Sequence, residues 1–596
     1  MTHKNNFKLQ NTDSNHILSD ENSGTFTDLQ NNVSSASNTL NLNRNYTYNS
    51  TVDGSIDVDG IKINKSLTID GNGYTIDANN FGRIFNINAS DVILKNIIFI
   101  NSHYAGKGGA IFVCQGNTGI IFDNCSFIDN YAEEGSGIYS NSPINMTGSN
   151  FTHNGYDASS YSLNGGAVFI NAMAYIEGSY FYNNAASYGG AIYASSRVKI
   201  SNSNFNSNKG NLGGGAIYFD KNSNNNIISG SNFLSNTASS TNANGSAIHF
   251  DGNNNTVLDS YFNNNINTGG YGGAIFANDG TSKLTIIGST FTNNQAVRRG
   301  GAIDAHTSYL TIFNSTFKSN KITGSGDTYG SAINLVGSRA LINQSNFEDH
   351  TASSGTIYGT INFSSNYGSI FNCTFNNNKA TDGGAIRIYS TTHHVNISNC
   401  RFTNNQATNH GGAIAWAGSN GILNNSYFEA NKVSGGHYYG GAVYAEVTSF
   451  KILNNDFRSN LAQTGGYGGA MYINSDDVEI IKCNFSDNQA VGHDGGAILL
   501  DMGKKNIIVD ECRFMRNYAS WLSSAISSFA TNVTIKNSYF NGNHNSYKAD
   551  SGLYGGAVAF KYYGYNKVIN CTFESNQNYY GGDIKVHDSS PNIEIY

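Results

Sequence analysis

The chain is 596 residues long, with 67 glycines, 92 asparagines and only 2 prolines, and 13% of it is charged. So little charge excludes a coiled coil or a charged disordered chain, while 34 Phe and 37 Tyr supply the apolar area that low-complexity disorder lacks. A net charge of −7, with no basic block beyond Arg298-Arg299 and Lys504-Lys505, excludes nucleic acid as a partner, and no apolar run reaches the ~18 residues of a membrane span.

Residues 1–22 are polar, lack the apolar stretch of a signal peptide and are expected to be disordered. Residues 23–90 read as an N-terminal cap followed by irregular first rungs. Ser23 to Val33 fits a short amphipathic helix plugging one end, and Leu40-Asn-Leu42, Ile61-Lys-Ile63, Leu67-Thr-Ile69, Tyr74-Thr-Ile76 and Ile84-Phe-Asn-Ile87 fit short strands.

Residues 91–596 carry an internal repeat. One Phe marks each unit, from Phe99, Phe127 and Phe151 through Phe291 to Phe540 and Phe573; these 18 residues recur over 474 positions, a mean step of about 28. Asn stands three places after the Phe in 16 of the 18 units, with Ser102 and His350 as the exceptions. A Gly-Gly-Ala-Ile element follows, as at Gly108-Gly109-Ala110-Ile111 and Gly495-Gly496-Ala497-Ile498. Its aliphatic residue, a variable residue and a further apolar one alternate in-out-in, the two-residue period of a strand. A second strand follows, as in Val198-Lys199-Ile200. A corner comes next, usually Asn or Gly three places before the Phe, and then a third strand holds the Phe. Three short strands per unit cannot bury a core alone, so equivalent strands must stack in parallel from unit to unit. The expected fold is all-β, a single right-handed parallel β-helix of about 18 regular rungs plus irregular N-terminal ones, its hand set by the preference of parallel crossovers. Pro591 to Tyr596 show no capping element, so a longer parent chain is expected.

The paired Gly-Gly-Ala-[Ile/Leu/Val] and Phe-x-x-Asn tetrapeptides resemble the repeats of chlamydial polymorphic outer-membrane proteins. With Gly24-Thr-Phe-Thr-Asp-Leu29 and Leu67-Thr-Ile-Asp-Gly-Asn-Gly-Tyr-Thr-Ile76, the Asn-rich units look similar to adhesin-like surface proteins of methanogenic archaea. Both are of the pectin-lyase-like β-helix class, and the resemblance covers about residues 24–586. It implies a secreted or surface-held protein that mediates attachment. The partners it implies are glycans or proteins on host or neighbouring cells.

The residues themselves offer little catalytic chemistry. Six of the seven cysteines (Cys125, Cys373, Cys400, Cys483, Cys512, Cys571) stand two places before the Phe, where Ser stands in ten other units, and read as a buried small-residue ladder. Asp476-Asp477 and His493-Asp494 are arranged loosely like the acidic and His pairs of polygalacturonases but read as solvated turn and loop residues. His393, His394, His410 and His437 keep no regular spacing with a carboxylate or Cys. An enzyme of this fold would gather acidic, basic and His residues in two or three consecutive rungs. The sequence spreads them thinly, so no catalytic residue, metal or cofactor is expected. The alternatives are a polysaccharide lyase or glycoside hydrolase, and a structural surface spacer.

Binding is expected on two aromatic columns of a monomeric rod. The outward position after the conserved Ile or Val holds Phe112, Tyr139, Phe169, Tyr193, Tyr218, His249 and Phe276 in seven successive rungs, before turning polar at Asp304, Asn334 and Asn362. Seven rungs give an aromatic ribbon roughly 30 Å long, an unusual exposed patch and a natural seat for sugar rings. Tyr also directly precedes the Gly-Gly element at Tyr188, Tyr271, Tyr439, Tyr467 and Tyr554, beside linkers of varied length that are rich in Tyr, Ser, Gly and Asn.

Overall fold

The computed structural model describes residues 23–155, 164–352, 355–435, 438–546, 555–561, 564–578, 582–586 and 592–596. Residues 1–22, expected to be disordered, lie outside that set, as do His437 and Tyr554. The chain is an all-β, right-handed parallel β-solenoid of about 19 turns. A first sheet of 20 strands is built from the segments after Gly-Gly-Ala, a second of 21 from the following strands, and a third of 20 from the Phe strands. Every ladder among the described residues is parallel, and those of the three main sheets keep one register, as in Ile111↔Ile138↔Val168 and Phe127↔Phe151↔Phe181.

The Phe column is the spine of the core. All 17 successive ring pairs from Phe99 to Phe573 sit with centroids 4.6 to 4.9 Å apart. That is the spacing of hydrogen-bonded strands, so the backbone ladder and ring packing share one repeat.

Two left-handed corners flank each Phe. The residue three places before it has positive φ in all 18 units, including Asp259, Gln344, Lys482 and Glu511, and so does the residue two places after it. Each corner turns the next amide away from the backbone ladder, and a side chain of the following rung captures it. At the first corner Ser or Cys does so: Ser179 N donates to Ser203 Oγ at 3.2 Å, and Cys483 N to Cys512 Sγ at 3.4 Å. At the second corner Asn does so: Asn208 N and Nδ2 both donate to Asn236 Oδ1 at 3.0 Å, while Asn208 Nδ2 also donates to Phe181 O at 3.0 Å. The Ser and Asn columns therefore satisfy buried backbone groups that would otherwise be orphaned. The cysteines are free, and Cys125, Cys373, Cys400, Cys483 and Cys512 are buried.

The Gly-Gly pair has equally local causes. At Gly300 φ is +59° and a Cβ would lie 2.0 Å from Ile303 O; at Gly301 a Cβ would lie 2.0 Å from Ser331 O of the next rung. Glycine at both positions avoids those collisions while the rungs close to hydrogen-bonding distance, although the second position takes a buried Ser331 or Thr360 in the following two rungs.

The unit departs from the three-strand expectation in one respect. Short side strands follow many of the Asn residues and pair into further sheets of 2, 7 and 10 strands. The chain leaving the Asn column is already in register with its neighbour and keeps pairing until linker lengths diverge. Helix α1 (Phe26–Ser35) covers the first rungs with Phe26, Leu29 and Val33 buried. Thr25 and Asp28 form a reciprocal cap, and the buried Asp53 accepts from the Phe26 and Thr27 amides at 3.1 and 2.8 Å. These contacts satisfy the helix's free N–H groups.

Candidate functional site

Outside the core, the fold aligns side chains of successive rungs into columns, and three of these surfaces carry chemistry. The first is the aromatic column on the outer face of the first sheet. Its rings stack as the register requires: Phe112–Tyr139 at 5.5 Å, Tyr139–Phe169 at 4.7 Å, Phe169–Tyr193 at 4.8 Å and Tyr193–Tyr218 at 5.2 Å. The expected open ribbon is largely closed, however, with Phe112, Tyr193 and Tyr218 half-buried. Tyr139 is 3% exposed, and Phe169 and Phe276 are each 7% exposed, because the rings cover one another and neighbouring groups close over them. The Arg83 guanidinium lies 4.9 Å from the Phe112 ring centroid, Lys107 Nζ 4.8 Å from that of Tyr139, and Tyr188 meets Tyr218 edge-on at 4.9 Å.

Where this column turns polar, four successive rungs assemble a cluster. Tyr218 donates to Asp251, His249 Nε2 lies 2.9 Å from the same carboxylate, and Asn278 Nδ2 donates to it at 2.8 Å. Burial pushes the Asp251 carboxyl up, but His249, by hydrogen bond and charge, with Tyr218 and Asn278 holds it down at about 2. Further on, His306 bridges two carboxylates, with Nδ1 2.9 Å from Asp279 and Nε2 3.2 Å from Asp304. Burial lowers the His306 pKa, but Asp304 and Asp279 more than reverse it and hold it above the ordinary imidazole value. Asp304 is fully buried, and Asn334 and Asn362 continue the chain by donating to Asp304 and Asn334 at 2.7 and 2.8 Å. The sequence expectation of thinly spread charges is corrected here. Asp304 and His306 stand two apart on the strand Ile303–Thr307, Asp251 directly follows the strand Ile248–Phe250 that carries His249, and one rung lies between the two pairs. The signal was a polar residue recurring after Gly-Gly-Ala-Ile.

The second surface is the edge formed by residues just before Gly-Gly. Tyr271 is flanked by Arg298 and Arg299, at 5.9 and 5.4 Å from its ring centroid, and Arg299 also faces Tyr329 at 5.6 Å. Tyr329 stacks on Tyr358 at 5.1 Å, and Arg387 lies 4.1 Å over Tyr358. Further along, His410, Tyr439 and Tyr467 continue the edge, with Tyr444 and Tyr472 beside them and His493 stacked 4.1 Å from Tyr467. Trp521, 39% exposed, lies 5.0 Å beyond His493. Of the edge residues expected, Tyr188, Tyr271, Tyr439 and Tyr467 are half-buried, while Tyr554 lies outside the described residues. Tyr329 and Tyr358 were missed because the degenerate pairs Gly330-Ser331 and Gly359-Thr360 follow them.

Three further corrections concern the same region. Asp476 and Asp477 open the strand Asp476–Ile481 and do not sit in a turn. Asp494 is 4% exposed and not solvated; burial pushes its carboxyl up to about 6, against the Leu522 amide that donates to it at 2.7 Å. His410 does have a carboxylate partner, Asp382, 2.7 Å away on the preceding rung.

The third surface is a concave corner between the third sheet and the side strands. It forms a groove of about 660 Å³ lined by Asn263, Asn293, Gln295, Ser319, Lys321 and Asp349, among others. Among the described residues no group of three His, Cys, Asp or Glu side chains is placed to hold a metal ion, and no helix is long and apolar enough to cross a membrane.

Two family models match the chain in agreement with this architecture. A family described as right handed beta helix region matches residues 272–457 and 385–553, and the Chlamydia polymorphic membrane protein repeat matches residues 178–195. Among solved structures, a mutant PL6 family alginate lyase is 11% identical with a TM-score of 0.29, covering 96% of this chain and 99% of its own. The tailspike protein of E. coli bacteriophage HK620, a double mutant in complex with a pentasaccharide, is 12% identical with a TM-score of 0.22, covering 95% and 80%. No curated protein matches the sequence.

Proposed function

We propose that the chain is an extracellular, surface-displayed adhesin-like rod that binds glycans and does not degrade them. The observation that carries this reading is the edge from Tyr271 to Trp521, where half-exposed Tyr, Arg and His side chains recur from rung to rung. Sugar rings pack on aromatic faces, guanidinium groups donate to hydroxyls, and stacked neighbours hold the rings in place before binding. Surface display is supported by the Chlamydia polymorphic membrane protein repeat at residues 178–195. Replacing Tyr329, Tyr358 and Tyr467 together with Ser should cost at least tenfold in binding on a glycan array while far-UV dichroism stays unchanged. Full binding by that variant would remove the edge as the site.

A second reading, a polysaccharide lyase or glycoside hydrolase of the same fold, is favoured by the Tyr218–His249–Asp251 and Asp279–His306–Asp304 groups on neighbouring rungs. Paired carboxylates with histidines are the equipment of acid–base chemistry on sugars. Incubation with pectate, polygalacturonate and mixed cell-wall glycans, with and without calcium, separates the readings. The adhesin releases no reducing ends or unsaturated products. Release that disappears in Asp251→Asn and His306→Ala would establish the enzyme.

A further inference from the structure

The concave corner between the third sheet and the side strands differs in chemistry from the aromatic edge. Its groove runs lengthwise through five successive rungs, with Ser235 at one end and Thr351 at the other. The floor is the line of left-handed residues after each Phe-x, here Asn264, Asn293, Ser319 and Asp349, whose positive φ turns the chain through the corner. One wall carries Asn263, and the other carries Gln295, Lys321 and Thr351, held in register by side-strand pairing. The lining is almost wholly amide and hydroxyl, and no aromatic ring contributes.

Several of these groups have hydrogen-bonding capacity to spare. Asn263 Oδ1 is buried without a partner, and among the described residues Lys321 makes no ion pair. Asp349 accepts from Asn377 Nδ2 at 2.8 Å and lies 3.8 Å from Lys318 Nζ, which is nearer to Glu348 at 3.1 Å. Donors and acceptors thus recur at the strand spacing of about 4.8 Å, over about 19 Å. A ligand that uses such a ladder must be extended, rich in hydroxyls and periodic, with a repeat close to one rung. An extended hexose chain has those properties. A polyuronate fits poorly, because its regular carboxylates would meet a single ammonium and, one rung away, a carboxylate.

We propose that this groove seats four to five hexose units of a linear, uncharged polysaccharide laid parallel to the rod axis. The proposal rests on the glycan-binding reading and assigns it a second, chemically distinct site. Calorimetric titration of the full chain with β-1,4-linked gluco-, manno- and galacto-oligosaccharides of two to six units tests it, with galacturonate oligomers as the charged arm. For at least one uncharged series, affinity should climb with each added unit and level off near five. Galacturonate should bind at least tenfold more weakly. The double variant Gln295→Leu/Lys321→Met should lose at least tenfold without a change in melting temperature, and the Tyr329/Tyr358/Tyr467 triple variant should keep this affinity. Absence of binding by every uncharged series overturns the groove, as does length-independent affinity or affinity lost only in the tyrosine variant. In each of those outcomes, binding of other glycans at the tyrosine edge would leave the adhesin reading standing. A full chain that binds no glycan on an array overturns both.

Discussion

His350 is the residue at which the repeat is broken and repaired. It stands in the Asn column fully buried, and Nδ1 accepts from the Asn320 amide at 3.0 Å while Nε2–H donates to Phe317 O at 3.1 Å. Those two bonds replace two of the three that an Asn makes on that side; the bond from the preceding Asn Nδ2 has no counterpart, leaving Asn320 Nδ2 its bond to Phe291 O. Burial lowers the His350 pKa to about 4 from 6.5, against the raising effect of the Asn320 and Phe317 carbonyls. Between these values the unfolded chain binds a proton that the folded chain refuses. The stabilisation is therefore complete above pH 6.5 and is lost as pH falls towards 4, on the order of 3 kcal/mol across the window. His350→Asn, which completes the ladder without a titrating group, should gain markedly on the parent in urea melts at pH 4.5 and much less at pH 7.5. An equal gain at both values would show that His350 does not sit neutral in the core.

At the scale of the strand, the Phe column separates inside from outside. Phe291 is fully buried between Phe262 and Phe317, at 4.6 and 4.8 Å, whereas Lys283 begins the preceding strand exposed. Phe291→Ala removes one ring from an unbroken stack and leaves a cavity that fixed neighbours cannot close, so it should cost about 3–5 kcal/mol. Lys283→Ala should cost under about 0.5 kcal/mol. Denaturant melts of the two variants check this, and similar losses would mean that the third sheet's inner face has been misassigned. The alternation of these strands was legible in the sequence because it is a two-residue period, and the corner three places before the Phe was legible as Asn and Gly; the corner two places after it was not, because Asp, Ser, Ala and Arg stand there as well. The reason for Ser, Cys and Asn beside the corners was not. Their partners lie one rung away, about a full repeat distant in the chain, so no local pattern announces the hydrogen bond.

For the whole molecule, parallel stacking makes each rung answer chiefly to its two neighbours. Stability is then close to a sum of local and nearest-neighbour terms, and damage should stay local. Hydrogen exchange on Phe291→Ala should quicken in the strands around Phe262, Phe291 and Phe317 while rungs near Phe127 and Phe485 keep the parent's protection. Uniform acceleration along the rod would instead reveal one global cooperative unit. The same one-dimensional order makes the outer surface functional, since any residue placed at a fixed point of the repeat becomes a line on the rod.

The sequence by itself determined the solenoid, its register and its core, because strand alternation, left-handed corners and an inward Phe are local properties repeated 18 times. Tertiary structure alone decided which outward residues meet and which reach solvent. The stripe from Phe112 to Phe276 reads as an exposed ribbon in one dimension, yet stacking and the overlying Arg83, Lys107 and Tyr188 bury much of it. The Asp251 and His306 clusters and the polar groove likewise exist only once rungs are stacked. Side chains some 28 residues apart become neighbours at strand spacing, and whether a linker covers or clears them depends on its path through space.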